Sequence, residues 1–230
     1  MRKNEDSSRS PSETAIDISK MRRSYGENGL GELPADPFTL FQSWLVNAHE
    51  NPYVVEANAM VLSTVDSSGQ PWSRSVLLKG VSEGKSPTLH FYTNYDSAKA
   101  QQLGDEPRAS LLFPWYPLER QVIVTGSVSK VSREESAAYF HSRPWASQIG
   151  AWASAQSTVL DSPDTLQEKW REFSERYPEE VPLPDQWGGF ALTPSTIEFW
   201  QGRYSRLHDR ARYSRINNSS NEWEITRLYP

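Results

Sequence analysis

The sequence predicts an α+β protein built on an antiparallel barrel or a strongly twisted sheet, with a few short helices around it. Three observations carry this. Apolar segments with period-two alternation recur from residue 59 to the C-terminus. Short connectors rich in Gly, Ser, Asn and Asp separate many of them, which suits hairpins. The helical stretches are few and brief, and they interrupt the strands rather than alternating with them.

Residues 1–20, with five serines, balanced charge and little to bury, read as a disordered, solvated tail, so order is expected near Met21 and residues 21–230 are expected to form a single domain. "ADPFTLFQSWLVNAHE" predicts a helix with Asp36 as N-cap and Pro37 as first helical residue. Its apolar positions Leu40, Phe41, Trp44, Leu45 and Ala48 fall at helical spacing. Strands follow at "AMVLSTVD", "SRSVLLKGV", "TLHFYTN", "RASLLFPW" and "QVIVTGSVSKV", with a turn at "SSGQ" between the first two. Short helices are predicted at 97–104, 133–142 and 164–176. After Gly188 and Gly189 the strand pattern returns as "FALTP", "TIEFWQG", "RLHDRARYSRI" and "EWEITRLY".

Composition closes several functional classes. A net charge of −5 argues against a general nucleic-acid binder. No apolar run approaches the roughly 20 residues that a spanning helix needs, and the polar start has no signal-peptide core, so a soluble cytoplasmic protein is expected. Cysteine is absent, which removes disulfides, thiolate catalysis and cysteine-ligated metals. The four histidines are scattered singly, with no spacing that would seed a metal site.

Apparent motifs mostly dissolve. "GVSEGKSP" has one residue too few between its glycines for a phosphate-binding loop, and Pro87 forbids the helix that should follow. The Gly29–Gly31 pair lacks both the preceding strand and the third glycine of a dinucleotide fingerprint. Paired acids at Glu134–Glu135 and Glu179–Glu180 read as solvated surface charge.

Four stretches keep unexplained polar groups. In "RSVLLK", strict alternation sets Arg74 and Lys79 on opposite faces unless the strand is bulged. "FYTNYDSAK" places Tyr92 and Thr93 at a strand end and Lys99 in the first turn of a helix that Ser97 could cap, an arrangement suited to a phosphate. "YFHSRPWASQIGAW" puts Tyr139 and Arg143 on one helix face before Pro144, with Ser147 starting another turn, and offers a second anion pocket. In "RLHDR" a strand would align Arg206, His208 and Arg210 on one face, whereas a helix would swing His208 away. Solvated edges, capping and core packing account for each stretch separately. Two anion pockets with aromatic walls fit a phosphorylated cofactor meeting a phosphorylated substrate.

Together with "LLFPWYPLERQV", "VPLPDQWGGF" and "IEFWQG", these stretches resemble the pyridoxamine 5'-phosphate oxidase family from about Arg22 to Pro230, in order and with similar spacing. The resemblance implies an FMN-binding split β-barrel and a homodimer with two active sites at the subunit interface. It implies oxidation of pyridoxamine 5'-phosphate or pyridoxine 5'-phosphate to pyridoxal 5'-phosphate in vitamin B6 metabolism, with dioxygen as acceptor and hydrogen peroxide released. FMN contacts are implied for Arg74, Ser75, Val76, Leu77, Leu78, Lys79, Tyr92, Thr93, Lys99, Gln121, Gln156, Ser157, Trp200 and Arg210. Substrate contacts are implied for Lys79, Tyr139, Arg143 and Ser147, with Arg206 and His208 catalytic over the reacting end of the pyridine. Arg22 and Tyr25 match a segment that in the family can close over the site. One residue departs from the pattern: "SAK" stands where the family usually reads "SRK", so Ala98 replaces a cation expected at the FMN phosphate and predicts weaker FMN retention. The alternative is a non-catalytic flavin- or B6-phosphate-binding protein of the same fold.

Overall fold

The computed structural model describes residues 24–84, 86–217 and 222–230. The predicted tail, the boundary near Met21 and Arg22 lie outside the described residues.

The first helix forms as its sequence dictates. Helix α1 (Pro37–Glu50) starts on Asp36, whose side chain accepts from the Phe38 amide, and it buries Phe38, Phe41, Trp44 and Ala48. Strands β1 (Ala59–Val65) and β2 (Pro71–Leu77) form a hairpin. Asp66 Oδ1 accepts from the Ser68 and Gln70 amides in the turn, and Gly69 takes a φ of 87° that an L side chain resists. Strand β3 (Gly80–Val81) pairs with β4 (Leu89–Asn94), and helix α2 (Ala98–Asp105) leads to β5 (Arg108–Trp115) and β6 (Arg120–Lys130). Helices α3 (Arg133–Ser142), α4 (Trp145–Ala153) and α5 (Pro163–Arg176) come next, then β7 (Trp187–Gln201), β8 (Asp209–Arg215) and β9 (Trp223–Leu228).

All pairings are antiparallel, in the order β2-β1-β5-β6-β7-β4-β3, with β8 joined to β7 and β9 to β8. Only Leu78 and Lys79 separate β2 from β3, so the same stretch of chain supplies both ends of the path and the sheet curls round on itself. Its inner face is filled by Met60, Leu62, Phe91, Leu111, Phe113, Val122, Leu192 and Phe199, each at most 1% exposed, and α1 packs Phe41 and Trp44 onto it. Each such side chain contributes about 1.5–3 kcal/mol on burial. A smaller cluster of Phe140, Ile149, Val181 and Trp187 packs beneath α3, α4 and α5 on the outer face. Among the described residues no helix is long and apolar enough to cross a membrane.

Strand β7 corrects the reading of two separate strands. It runs as one 15-residue strand, with β6 along one side and first β4, then β8 along the other. A bulge opposite Thr125 and Gly126 leaves Ser195 unpaired and reverses the parity of the strand. Phe190 and Leu192 before it, and Ile197 and Phe199 after it, therefore all face the core. Pro194 is tolerated in a central strand because it sits at this bulge.

Three further readings change. The pattern read as one strand at 73–81 breaks at Leu78 and Lys79, which fall between β2 and β3. Residues 204–206 form a single turn of 3-10 helix in which Ser205 and Arg206 take positive φ, so strand β8 begins only at Asp209. Arg206, His208 and Arg210 thus do not form one strand row. A full helix, α4, occupies the place where only another turn was expected.

Candidate active site

A cavity of about 610 Å³ opens on the outer face where β2, β4, α3 and α4 meet. Its lining brings together Ser75, Val76, Leu77, Lys79, Tyr92, Thr93, Lys99, Tyr139, Arg143, Ser147 and Gln156, which the sequence singles out from four separate segments. None of the lining residues is acidic, while three are basic.

Lys99 follows from the cap of α2. Ser97 holds the N-cap position, but its side chain does not make the cap that the sequence suggests; its hydroxyl donates to the Asn94 carbonyl and accepts from Lys99 Nζ at 3.2 Å. Lys99 Nζ also meets Thr93 Oγ1 and Gln156 Oε1 at 3.0 Å each, so among the described residues a buried ammonium has only neutral partners. Burial, with Arg74 adding to it, pulls its pKa down from the usual 10.5 to about 8. Arg74 stands beside the cavity, donating to the Leu62 carbonyl at 3.2 Å, to Thr64 Oγ1 and to Gln102 Oε1 at 2.9 Å. Burial lowers its pKa as well. Two cations held by neutral acceptors and lacking a carboxylate suit a phosphate.

The opposite wall is aromatic. Tyr92 stacks on Tyr139 with centroids 3.9 Å apart, and on Trp187 at 5.6 Å. Gly189 makes the stack possible, because a Cβ there would lie 2.6 Å from the Tyr92 ring. The Tyr92 hydroxyl is pushed up to about 12 by burial and by Glu135. Arg143 caps α3, lies over the Trp187 ring at 4.8 Å, and buries an Nη1 that has no hydrogen-bond partner among the described residues. A second anion would complete it.

The remaining predicted residues gather elsewhere. Gln121, Trp200 and Arg210 are cross-strand neighbours on β6, β7 and β8, on the outer face. His208 packs against Trp200 at 4.7 Å, and Tyr25 closes over both, at 5.8 Å from Trp200 and 5.5 Å from His208. The Gly26 amide donating to Glu119 Oε2 at 2.9 Å and the Leu30 amide donating to Asp209 Oδ2 at 3.1 Å hold the Tyr25 segment down. His208 Nδ1 accepts from the Arg203 amide at 3.1 Å, and its pKa is lowered by burial and then by Arg206. Arg210 is engaged by Glu198 at 2.7 Å and the Tyr229 carbonyl at 3.0 Å, whereas Arg206 is exposed. None of these residues lines the cavity. Trp187 and Trp200 mark opposite ends of a strand that extends on the order of 40 Å, so the two groups do not meet within one chain. Leu78 is buried in the core and Ser157 stands exposed beyond the cavity with a φ of 73°.

Comparison with known proteins decides the family. Residues 49–177 match the family model described as pyridoxamine 5'-phosphate oxidase. The chain belongs to the pyridoxamine 5'-phosphate oxidase family. Residues 187–230 match the pyridoxine 5'-phosphate oxidase C-terminal dimerisation region, which contains Trp200, Arg206, His208 and Arg210. The pyridoxine/pyridoxamine 5'-phosphate oxidases of Rhodopirellula baltica and Streptomyces avermitilis are 50% and 48% identical to it, in each case over 93% of this chain and 96% of the relative. PhzG from Burkholderia lata, solved in complex with tetrahydrophenazine-1-carboxylic acid, superposes with a TM-score of 0.80 at 28% identity, covering 87% of this chain and 96% of that one. An FMN-binding protein from Nostoc punctiforme related to pyridoxamine 5'-phosphate oxidase shares the split-barrel fold, with a TM-score of 0.69 at 19% identity over 86% of this chain and all of that one.

Two kinds of residue in this oxidase-family cavity escape sequence reading. Ser154 contributes surface outside every stretch that stands out in the sequence, and Asn94 and Pro144, although inside such stretches, are not marked by them as lining residues. Thr64 and Gln102 orient Arg74 from β1 and α2, and nothing in their spacing announces that they meet.

Proposed function

We propose that the protein oxidises pyridoxine 5'-phosphate or pyridoxamine 5'-phosphate to pyridoxal 5'-phosphate with FMN as cofactor, as a homodimer in which each site takes residues from both subunits. The observation that carries this reading is the acid-free cavity with buried Lys99 and the unpartnered Arg143 Nη1, which suits two phosphate groups. Lys99 and Arg74 would hold the flavin phosphate, and Arg143, Tyr139, Ser147 and Lys79 the substrate phosphate. FMN, when bound, supplies the hydride acceptor and passes the electrons on to dioxygen, giving hydrogen peroxide. The protein's own part is to orient the substrate and exclude water. Arg206 and His208, on the dimerisation region, would face the reacting end of the substrate from the second subunit.

His208 has a defined protonation state for that role. Its Nδ1 is occupied as an acceptor and its pKa is lowered, so at neutral pH the ring is uncharged with its proton on Nε2. In that form the ring offers an Nε2–H donor to the ligand. Arg206 supplies the adjacent positive charge.

Anaerobic mixing of the FMN-loaded protein with pyridoxine 5'-phosphate tests the reading. The flavin band should bleach, then recover with stoichiometric peroxide on admission of air. An unchanged spectrum would leave a binding protein.

A further inference from the structure

The outer face of β4 carries His90 and Tyr92, two residues apart and so on one side of the sheet. Tyr92 lines the cavity and His90 does not. His90 Nδ1 lies 2.7 Å from Glu135 Oε1, in the first turn of α3, and its Nε2 lies 2.6 Å from Thr88 Oγ1. Thr88 Oγ1 in turn meets Ser82 Oγ at 2.9 Å. The same Glu135 oxygen accepts the Tyr92 hydroxyl at 3.4 Å. Of the adjacent acids expected on a solvated face, Glu134 is exposed and Glu135 keeps 41% of its side chain exposed while its carboxylate reaches β4.

A half-exposed carboxylate thereby stands next to Tyr92, one wall of a cavity whose own lining holds three cations and no acid. Tyr139 is one helical turn beyond Glu135 and stacks on Tyr92, and Arg143 follows one turn later. An uncompensated negative charge in that place opposes an anionic ligand. Its field already reaches Tyr92, whose hydroxyl it helps to raise. Helix α3 does not need this contact to stay docked. Arg133 donates to the carbonyls of Leu183, Pro184 and Trp187, and Ser136 Oγ accepts from the Gly189 amide.

We propose that His90 is a positioning residue for the anion-binding cavity: it holds the Glu135 carboxylate outside the cavity, against the imidazole, so that the acid does not weaken phosphate binding on the other side of Tyr92. The inference rests on the reading of the cavity as a phosphate site. Packing alone would make His90 replaceable by any side chain of similar size, and removing Glu135 would not help. An electrostatic role makes the opposite demand, because a defect caused by releasing an acid is cured by removing the acid.

The test uses the FMN-loaded protein, KM and kcat for pyridoxine 5'-phosphate, and competition by inorganic phosphate. His90→Leu should raise KM and the inhibition constant for phosphate together, by about three- to tenfold, with kcat changed by less than about twofold. Glu135→Gln alone should leave KM at or below its original value. The double variant His90→Leu/Glu135→Gln should return KM close to the original. A double variant as impaired as His90→Leu, or a His90→Leu variant with unchanged KM, overturns the proposal. Arg143→Met guards the underlying reading: it should raise KM strongly, and if it does not, the cavity is no phosphate site and both readings fall. If Arg143→Met behaves as expected while His90→Leu does nothing, the role of His90 alone is refuted. Should His90→Leu not fold, His90→Asn takes its place, with the same rise and the same rescue required.

Discussion

Lys99 shows how one residue converts burial into a ligand requirement. Its ammonium is surrounded by Thr93, Ser97 and Gln156, all neutral, and has Arg74 close enough to depress its pKa further, to about 8. Folding thus disfavours the charged form, and the ligand-free protein should gain stability as pH rises from about 8 toward 10.5. Phosphate binding runs the other way, because it needs the charge. FMN affinity should hold below pH 8 and fall by up to about tenfold per pH unit above it, until the raised pKa of the bound state is reached. Ala98, exposed at the first position of α2 beside Lys99, adds no cation to Lys99 and Arg74. An Ala98→Arg variant should bind FMN about tenfold more tightly, with the fall above pH 8 retained because Lys99 sets it. Fluorescence titration of FMN against pH reads both effects, and an affinity that does not fall between about pH 8 and 10 would contradict this account of Lys99. The residue types at this site are legible in "FYTNYDSAK". The neutral shell is not, because Gln156 arrives from 57 residues away.

At the scale of elements, the bulge in β7 decides where each end of the site points. Without the parity reversal at Ser195, either Phe190 and Leu192 or Ile197 and Phe199 would face outward, and with them Trp187 or Trp200 would turn into the core. Gly126 is what lets the strands approach at that point. A Cβ there would sit 2.0 Å from the Thr193 carbonyl oxygen and 2.8 Å from its carbon, both rigid backbone. Gly126→Ala should therefore cost about 2–4 kcal/mol. For a chain of this length that lowers Tm by roughly 5–15 °C in a thermal melt, and a shift under about 2 °C would show that the bulge relaxes freely. Alternation makes "FALTP" and "TIEFWQG" readable as strands, but a change of phase between them looks the same whether the chain turns or bulges. Helix α1 poses no such ambiguity, since Asp36 and Pro37 state its start and the apolar spacing states its face. The turn at Tyr204–Arg206 was illegible for a third reason: its positive φ values fall on Ser205 and Arg206, residues that carry no turn signature.

For the whole molecule, the separation of the two residue groups means that the proposed site draws on a second subunit. Arg143 borders the cavity near the Trp187 end of β7, and Arg206 follows its Trp200 end. A site that needs both must draw them from two chains, and a twofold dimer then makes two equivalent composite sites. Mixing variants exposes this arrangement. Arg143→Ala and Arg206→Ala homodimers should each be nearly inactive, because every site lacks one group. When the two are co-expressed, random pairing makes about half the dimers mixed, and each mixed dimer holds one intact site and one doubly damaged site, so about one quarter of wild-type activity per subunit should return. If both groups instead served a site within a single chain, every chain in the mixture would still carry a lesion and no activity would return. Purifying the mixed dimer with two different affinity tags sharpens the comparison, since its expected activity is about half that of the unmodified dimer. Recovery to that level places Arg206 and Arg143 in one site across the subunit boundary, and its absence confines the chemistry to one subunit.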